Sequence, residues 1–411
     1  MTAATDSSTT PSSPADAWPQ ELQLLLGEEA GELLAAVAGA AGGALSSWRA
    51  RQVDHKPGRF TVVQYRTSVT WPQGNTTSET FVAATGERIP EKGAAVFSDD
   101  HHRVAVWRWI NDPFLPGISN ALDPVKVGSL LDDLGIDGGT VQLRTRAYRP
   151  ARRAVIEATG RRGRLFLKVV RPSRAQDLQD VHRLLSPELP VPESLGWTDD
   201  GVVVLAARPG ETLRKALRSS RHPAPDPRAV LEMLDRLPAE LAERPPRRDL
   251  LDSADHHATV IEATLPSMRD RLDGLHGEVR SLVDPDGPEV TAVHGDLYEA
   301  QLLVDRGRIS GLLDLDTAGA GLRIDDLANF CAHLSVLGLM SDRSKHMKRY
   351  GADLLAEAER HHTPRELRPR IAAAIVGLAT GPFRVLEQRW ERNTLRRIEL
   401  AEEWLKGLDH G

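Results

Sequence analysis

The chain has 411 residues, of which 40% are apolar and 27% charged, with a formal net charge of −6. That length exceeds one hydrophobic core and fits two or three domains of an ordinary soluble globular protein. The mild charge leaves no basic stripe for a nucleic-acid partner, the single Cys331 rules out an intramolecular disulfide or a cysteine-rich zinc site, and no apolar run nears the roughly 18 residues of a membrane span.

Residues 1–18 are rich in Thr, Ser, Ala and Pro without periodicity and read as a disordered N-terminus. They lack the basic start and apolar core of a secretory signal, so the expected compartment is cytoplasmic. Leu22, Leu25, Leu26, Leu33 and Leu34 recur at helical spacing and predict a helix over 20–41. Runs of β-branched and aromatic residues predict strands over 60–65, 80–83 and 104–110. A turn-rich break at 111–117 and a short helix over 123–134, stopped by Gly135, follow. Three more strands are expected over 141–147, 154–158 and 164–170, then a helix over 174–185 and a buried strand over 201–206. Beyond Glu211 the pattern is helical except for one hairpin around 301–314, and there is no internal repeat. The order implies an N-terminal cap over 19–139, a β-rich lobe over 140–209 and a helical lobe over 210–411.

The chemistry concentrates between His294 and Asp314. An apolar approach leads into His294-Gly295-Asp296, one strand starts at Gln301, and a turn at Arg306-Gly307 sends a second strand back to Asp314. With that turn, Gln301 pairs near Leu312 and Asp314 lies diagonally across, roughly 7–8 Å away between backbones. Two oxygen donors at the open end of a hairpin, beside the Asp296 carboxylate, suit a hard cation such as Mg²⁺. In protein kinases a catalytic-loop Asp is followed after four residues by a metal-holding Asn, and a second Asp arrives on a later strand. Asp296, Gln301 and Asp314 repeat that spacing.

On these residues the chain resembles the aminoglycoside phosphotransferase family, small-molecule relatives of the protein kinases. Asp314 to Gly321 and Asp325-Asp326-Leu327-Ala328 resemble the segment that follows the metal Asp in that family, and Arg164 to Val170 resembles the strand of its phosphate-binding lysine. The resemblance covers about residues 140–411. It implies an α+β, two-lobed protein-kinase-like fold, with ATP as co-substrate, Mg²⁺ as cofactor, and a sugar, aminosugar or aminoglycoside-like hydroxyl as acceptor. It implies Asp296 as catalytic base, Gln301 and Asp314 as metal ligands, and Lys168 on the nucleotide phosphates. Val202 to Leu213 resembles the hinge and first helix of the large lobe, which puts Ala206 and Ala207 at the nucleotide base. His294 and Asp326 would brace the catalytic loop, and Asp316 would reach a second ion or cap a turn.

Three departures stand out. Gln301 replaces the usual Asn, as in the actinobacterial maltokinases and glucosamine kinases, which also carry an N-terminal domain. Residues 146–153, with four arginines, replace a Gly-rich phosphate loop, and arginines can supply charged donors there. The acidic partner of Lys168 falls to Asp177 or Asp180, neither the expected Glu. Arg384, Glu387 and Trp390, next to a helix break, are the candidate acceptor contacts, with packing as the competing use. His101-His102 and His361-His362 lack metal-ligand companions and read as surface residues. Two rivals remain: a nucleotide-binding regulatory protein with reduced turnover, and a cap that docks proteins through Trp107, Trp109 and Phe114.

Overall fold

Two short helices, α1 (Gln20–Leu26) and α2 (Glu29–Ala40), open the chain where one long helix was expected. The break falls at Gly27, whose N–H closes the first helix on the Gln23 carbonyl. The computed structural model describes residues 18–219, 223–246, 249–284, 289–340 and 345–408; of the stretch expected to be disordered, only Trp18 lies within these.

The first sheet is antiparallel, in the order β1-β2-β3-β5-β4, built from β1 (Ala44–Lys56), β2 (Phe60–Thr70), β3 (Thr76–Ala84), β4 (Ala95–Ser98) and β5 (Arg103–Arg108). Its strands alternate faces as strand geometry requires. Val63, Tyr65, Val69, Phe81 and Ala83 pack under Leu22, Leu25 and Leu34 of the two helices. Val62, Val82, Ala84, Ala105 and Trp107 form a second layer on the other face. The sequence hid β1 because it is an edge strand, long and rich in Arg, Ser and Gln, and edges tolerate polar residues that discourage further pairing. Trp107 is buried and meets Phe114 at 6.2 Å, while Trp109 packs on Tyr148 at 5.4 Å, so these aromatics join the first sheet to the second instead of offering a docking face.

Helices α3 (Ile118–Ala121) and α4 (Pro124–Asp133) come next, the latter capped by the Asp123 carboxylate with Pro124 at its first position. They pack on the second sheet, where Leu115, Ile118, Val127 and Leu131 meet Ile156, Leu167 and Val204. That sheet comprises β6 (Gln142–Arg149), β7 (Arg153–Gly160), β8 (Gly163–Val170), β9 (Ser194–Trp197) and β10 (Val202–Ala206), ordered β6-β7-β8-β10-β9. Helix α5 (Pro172–Leu185) connects β8 to β9.

The remainder is mostly helical. Strand β11 (Glu211–Thr212) and helices α6 (Leu213–Ser219), α7 (Arg228–Asp235), α8 (Leu250–Thr264) and α9 (Arg269–Leu282) lead to β12 (Val290–Val293). Strands β13 (Leu302–Asp305), β14 (Arg308–Leu312) and β15 (Gly319–Leu322) follow, then α10 (Arg323–Leu339), α11 (Lys345–Ala358), α12 (Pro364–Ala379), α13 (Gly381–Arg384) and α14 (Trp390–Leu405). β13 and β14 form the expected hairpin, with Arg306 and Gly307 both at positive φ, the geometry of the tightest hairpin turns. An unexpected two-stranded sheet, β12 with β15, brackets the hairpin. The fold is thus α+β, with β-rich layers followed by a helical lobe. The first sheet touches that lobe too: Phe383 of α13 is buried in its core, with Trp18 at 5.7 Å and Trp390 at 4.9 Å.

Candidate active site

The β12–β15 pair delivers His294-Gly295-Asp296 to the edge of the helical lobe, and three anchors hold the loop there. Asp326, buried at the start of α10, accepts the backbone N–H of His294 at 2.7 Å and of Gly295 at 2.8 Å. The Thr317 hydroxyl donates to the His294 carbonyl at 3.0 Å. The His294 ring bridges inward, with Nε2 2.8 Å from the Leu313 carbonyl and Nδ1 3.3 Å from the Asp296 N–H. A carbonyl only accepts, so Nε2 carries the proton and Nδ1 is the acceptor. Gly295 has φ +79°, which a side chain would strain, and this explains the glycine between His294 and Asp296. Burial pushes the Asp326 carboxyl up, and the two backbone donors partly offset it.

Gln301 and Asp314 meet as the hairpin predicts, with the register one residue off. Leu302 pairs with Leu312, and the Leu313 N–H donates to the Gln301 carbonyl at 2.8 Å, because an irregularity at Leu303/Val304 shifts the ladder. The Gln301 amide lies 3.2 Å from Asp314. Asp314 sits in the left-handed region at φ 61°, which turns its carboxylate out of the hairpin toward the second sheet.

Two cations from that sheet reach Asp314. Lys168 of β8 is buried and lies 2.9 Å from Asp314 and 2.5 Å from Asp316. Arg153, at the start of β7, grips both Asp314 oxygens at 2.7 and 2.8 Å and reaches Asp316 at 2.8 Å. Burial alone would lift the Asp314 carboxyl; Lys168 and Arg153 overcome that and hold it well below the usual carboxylate range. Lys168 therefore finds its acidic partners on the helical lobe. Asp177 instead pairs with Arg244 and with Arg174, Asp180 is exposed, and the buried polar residues of α5 are Gln179 and His182. Asp316 proves to be part of the charge cluster. Among the described residues no three His, Cys, Asp or Glu side chains converge as a metal cage. Asp314 and Asp316 supply hard carboxylate oxygens of the kind Mg²⁺ takes when phosphates and water complete its shell, while Gln301 meets Asp314 through its amide NH₂ and would have to turn its oxygen inward to join them. The two cations drawn to these carboxylates show that the site demands positive charge.

The hairpin that carries Arg153 is itself fastened. Asp112 is buried and accepts the Tyr148 hydroxyl at 2.7 Å and the Ala151 N–H at 2.8 Å. Arg171 donates to the Ala151 carbonyl at 3.1 Å, and Ala151 holds φ 55°. A Gly-rich loop is mobile; this tip is pinned on both sides. At the expected hinge, the Ala206 N–H donates to the Glu193 carbonyl at 2.9 Å and that of Ala207 to the Arg164 carbonyl at 3.3 Å, so both donors are spent within the lobe.

Past the catalytic loop, Tyr298 stacks on His333 of α10 at 4.2 Å, with Arg214 over the Tyr298 ring. Glu299 is fully buried beneath Arg214 at 2.5 Å, and burial pushes its carboxyl up. Of the three candidate acceptor contacts, Arg384 is exposed, Glu387 accepts from Asn393 at 2.6 Å, and Trp390 packs on Phe383 and Trp18.

The model of the phosphotransferase enzyme family matches residues 151–362, just over half of the chain. The chain belongs to that family. It is an ATP-dependent small-molecule phosphotransferase, and the match takes in Asp296, Gln301, Asp314 and Lys168 while Arg149 and Arg384 lie outside it. No curated protein matches the chain. Among solved structures it is similar to a choline/ethanolamine kinase family protein from Mesorhizobium loti, at 17% identity over 69% of this chain and 93% of that one, with a TM-score of 0.47. It is similar to the GDP complex of aminoglycoside 2′-phosphotransferase-IIIa at 16% identity, over 67% and 96% of the two chains, with a TM-score of 0.46. It is also similar to a macrolide 2′-phosphotransferase from Brachybacterium faecium, at 19% identity over 69% and 100%, with a TM-score of 0.41. Among the described residues no helix is long and apolar enough to cross a membrane.

Sequence reasoning missed Arg153, Asp112 and the Arg214–Glu299 pair. Arg153 stood in a run of arginines that already looked anomalous, and Glu299 sat inside the motif at a position with no assigned task. The Asp112 carboxylate bonds locally only to the Phe114 N–H, as any turn Asp does, while the partners that give it its role lie 36 and 39 residues away.

Proposed function

We propose that this phosphotransferase moves the γ-phosphate of ATP to a hydroxyl of a small polar metabolite, with Asp296 as the group that orients the hydroxyl and takes its proton. The single observation that carries the reading is the anchored loop. The bonds from Asp326 and Thr317 hold His294 and Gly295, and the His294 ring joins the Asp296 N–H to the Leu313 carbonyl next to Asp314, which a lysine from the second sheet reaches. Asp314 and Gln301 would hold Mg²⁺, and Lys168, released from Asp314 by that ion, would turn to the nucleotide phosphates. Mg²⁺, when bound, neutralises charge that builds on the transferring phosphate. Arg153 would supply the charge that a glycine loop supplies elsewhere through backbone N–H groups. The acceptor pocket would lie between Asp296, the Tyr298–His333 stack and Arg384.

The test is release of ADP from ATP over a broad panel of hydroxylated acceptors. Asp296→Ala is expected to lose turnover while its affinity for Mg-ATP stays unchanged. Persistent turnover in that variant would remove Asp296 from the mechanism.

A second reading, a nucleotide-binding regulator with reduced turnover, is favoured by one feature: Arg153 occupies both oxygens of Asp314. Tight Mg-ATP binding without turnover on any panel member would support it.

A further inference from the structure

Past Asp296 the catalytic loop runs through Leu297-Tyr298-Glu299, and three successive carbonyls there are each fixed. The Asn329 amide of α10 donates to the Leu297 carbonyl at 3.0 Å, the Gln301 N–H to that of Tyr298 at 2.9 Å, and the Arg214 N–H to that of Glu299 at 3.2 Å. The Tyr298 ring is held as firmly. His333, one turn beyond Asn329 on α10, lies nearly parallel to it at 4.2 Å and fills one face. Arg214 stands 5.6 Å from the ring centre and so covers the other face, kept there by its bond to the buried Glu299. With both faces taken, Tyr298 is no platform for a flat ligand; it offers its edge and its hydroxyl.

Those polar atoms are idle in the fold. Neither the Tyr298 hydroxyl nor either nitrogen of His333 has a hydrogen-bond partner among the described residues. They are not sealed off as the unpaired Tyr350 hydroxyl and His182 Nε2 are, so both side chains reach solvent with their polar ends. Burial, with the Asp296 and Asp314 carboxylates after it, pushes the Tyr298 phenol up, and burial pushes the His333 imidazole down to about 3. At neutral pH both are therefore uncharged, and each can donate and accept. Two residues of chain span at most about 7 Å, which places Tyr298 beside Asp296.

We propose that Tyr298 and His333 are the specificity contacts for the acceptor, binding hydroxyls next to the one at Asp296, so that the acceptor is an uncharged sugar or polyol. This rests on the phosphotransfer reading of Asp296. A phenol and a neutral imidazole at fixed positions each present a donor and an acceptor, the complement of neighbouring hydroxyls, which present the same. Such a site rejects an analogue that lacks a hydroxyl, because its own polar groups are then left unpaired. Charged acceptor groups find no matching partner at this spot. An ammonium would need the Glu299 carboxylate, which is fully buried, and an acid group would need the Arg214 guanidinium, which Glu299 already holds at 2.5 Å.

Two measurements on the full chain test this. Tyr298→Phe and His333→Phe keep the stacked rings and remove only the polar atoms, and both are assayed on neutral sugars and polyols, their amino and uronic acid counterparts, and their deoxy derivatives. Neutral members are expected to have the highest kcat/KM, and each variant to raise the acceptor KM by about 3- to 30-fold with the KM for ATP unchanged. A deoxy acceptor that lacks the contacted hydroxyl is expected to be penalised in the parent and no further in Tyr298→Phe. The second measurement follows the ¹⁹F resonance of a 3-fluorotyrosine placed at position 298 in the MgADP-loaded protein, which is expected to shift saturably as the preferred neutral sugars are added. Best turnover on charged members, or an acceptor KM unchanged in both variants, would overturn the proposal. A raised KM for ATP would assign the phenol to the nucleotide and overturn it as well. A saturable shift with no turnover on any acceptor would sink the phosphotransfer reading and leave the contact standing, whereas turnover without a shift would do the reverse. Neither shift nor turnover across the neutral panel would overturn the proposed contact.

Discussion

Asp326→Asn removes a charge from the fully buried brace of the catalytic loop without changing its volume. The carboxylate accepts the N–H groups of His294 and Gly295, one on each oxygen. Asn keeps a single oxygen, so one bond survives with a neutral acceptor and the other N–H faces an NH₂. Losing a charge-assisted bond and stranding a buried donor together cost about 3–5 kcal/mol, less what is recovered by no longer burying an ionisable carboxyl, for a net of about 2–4 kcal/mol. Gly295 then loses its tether, and a shift of Asp296 near 1 Å costs on the order of 100-fold in kcat. Urea melts give the stability change, and steady-state kinetics well below the melting transition give kcat and the KM for ATP. The expected result is reduced stability and kcat with the KM for ATP nearly unchanged. Unfolding within about 0.5 kcal/mol of the parent, a shift typical of a neutral surface change, together with an unaltered kcat would refute the idea that Asp326 sets the position of Asp296.

Asp112→Asn should unpin the β6–β7 tip by weakening the bonds to Tyr148, Ala151 and Phe114, lowering stability by about 2–4 kcal/mol and raising hydrogen exchange at Ala151; protection left intact there would argue against the anchor. Arg153→Gln should lower the Mg²⁺ concentration needed for half-maximal nucleotide binding by about tenfold, since the metal no longer displaces a bidentate guanidinium from Asp314; an unchanged requirement would mean the two do not compete. His182 donates to the Pro192 carbonyl from a buried site, and burial pushes its imidazole down from 6.5 to about 4. The unfolded chain therefore takes the proton first, so a contribution of about 3 kcal/mol is fully present above pH 6.5 and lost as pH falls to about 4. His182→Gln should flatten that part of the pH–stability curve, leaving the share due to His333, which burial pushes down to about 3.

What could be read from the sequence follows the range of the interaction. The catalytic hairpin was legible because its turn, its two strands and its metal-type residues lie within about twenty residues of one another, and the Arg306–Gly307 turn fixes register to within one position. Helix α4 announced itself through Asp123, Pro124 and Gly135. Strand β1 did not, since an edge strand satisfies only one side of its ladder and carries Arg and Ser at positions where a central strand would carry Val. The charge cluster was invisible for a different reason. Lys168 and Asp314 are 146 residues apart, and nothing in a local window says that Arg153, not Asp177, will face them. Trp390 misled in the same way: an aromatic beside a helix break reads as a ligand contact until Trp18, from the far end of the chain, is seen lying against it.

The first sheet has a mechanical consequence. It is fastened to the second sheet by the Asp112–Tyr148 bond and the Trp107–Phe114 contact, and to the helical lobe by Phe383, Trp390 and Trp18. A body fixed to both sides of a hinge is a strut. Rotating the lobes apart would have to break one of those two fastenings, each built around one buried aromatic, Trp107 or Phe383. If the nucleotide site is the one proposed, the cheaper route would leave the lobes where they are and move side chains, with Arg153 giving up its bonds to Asp314.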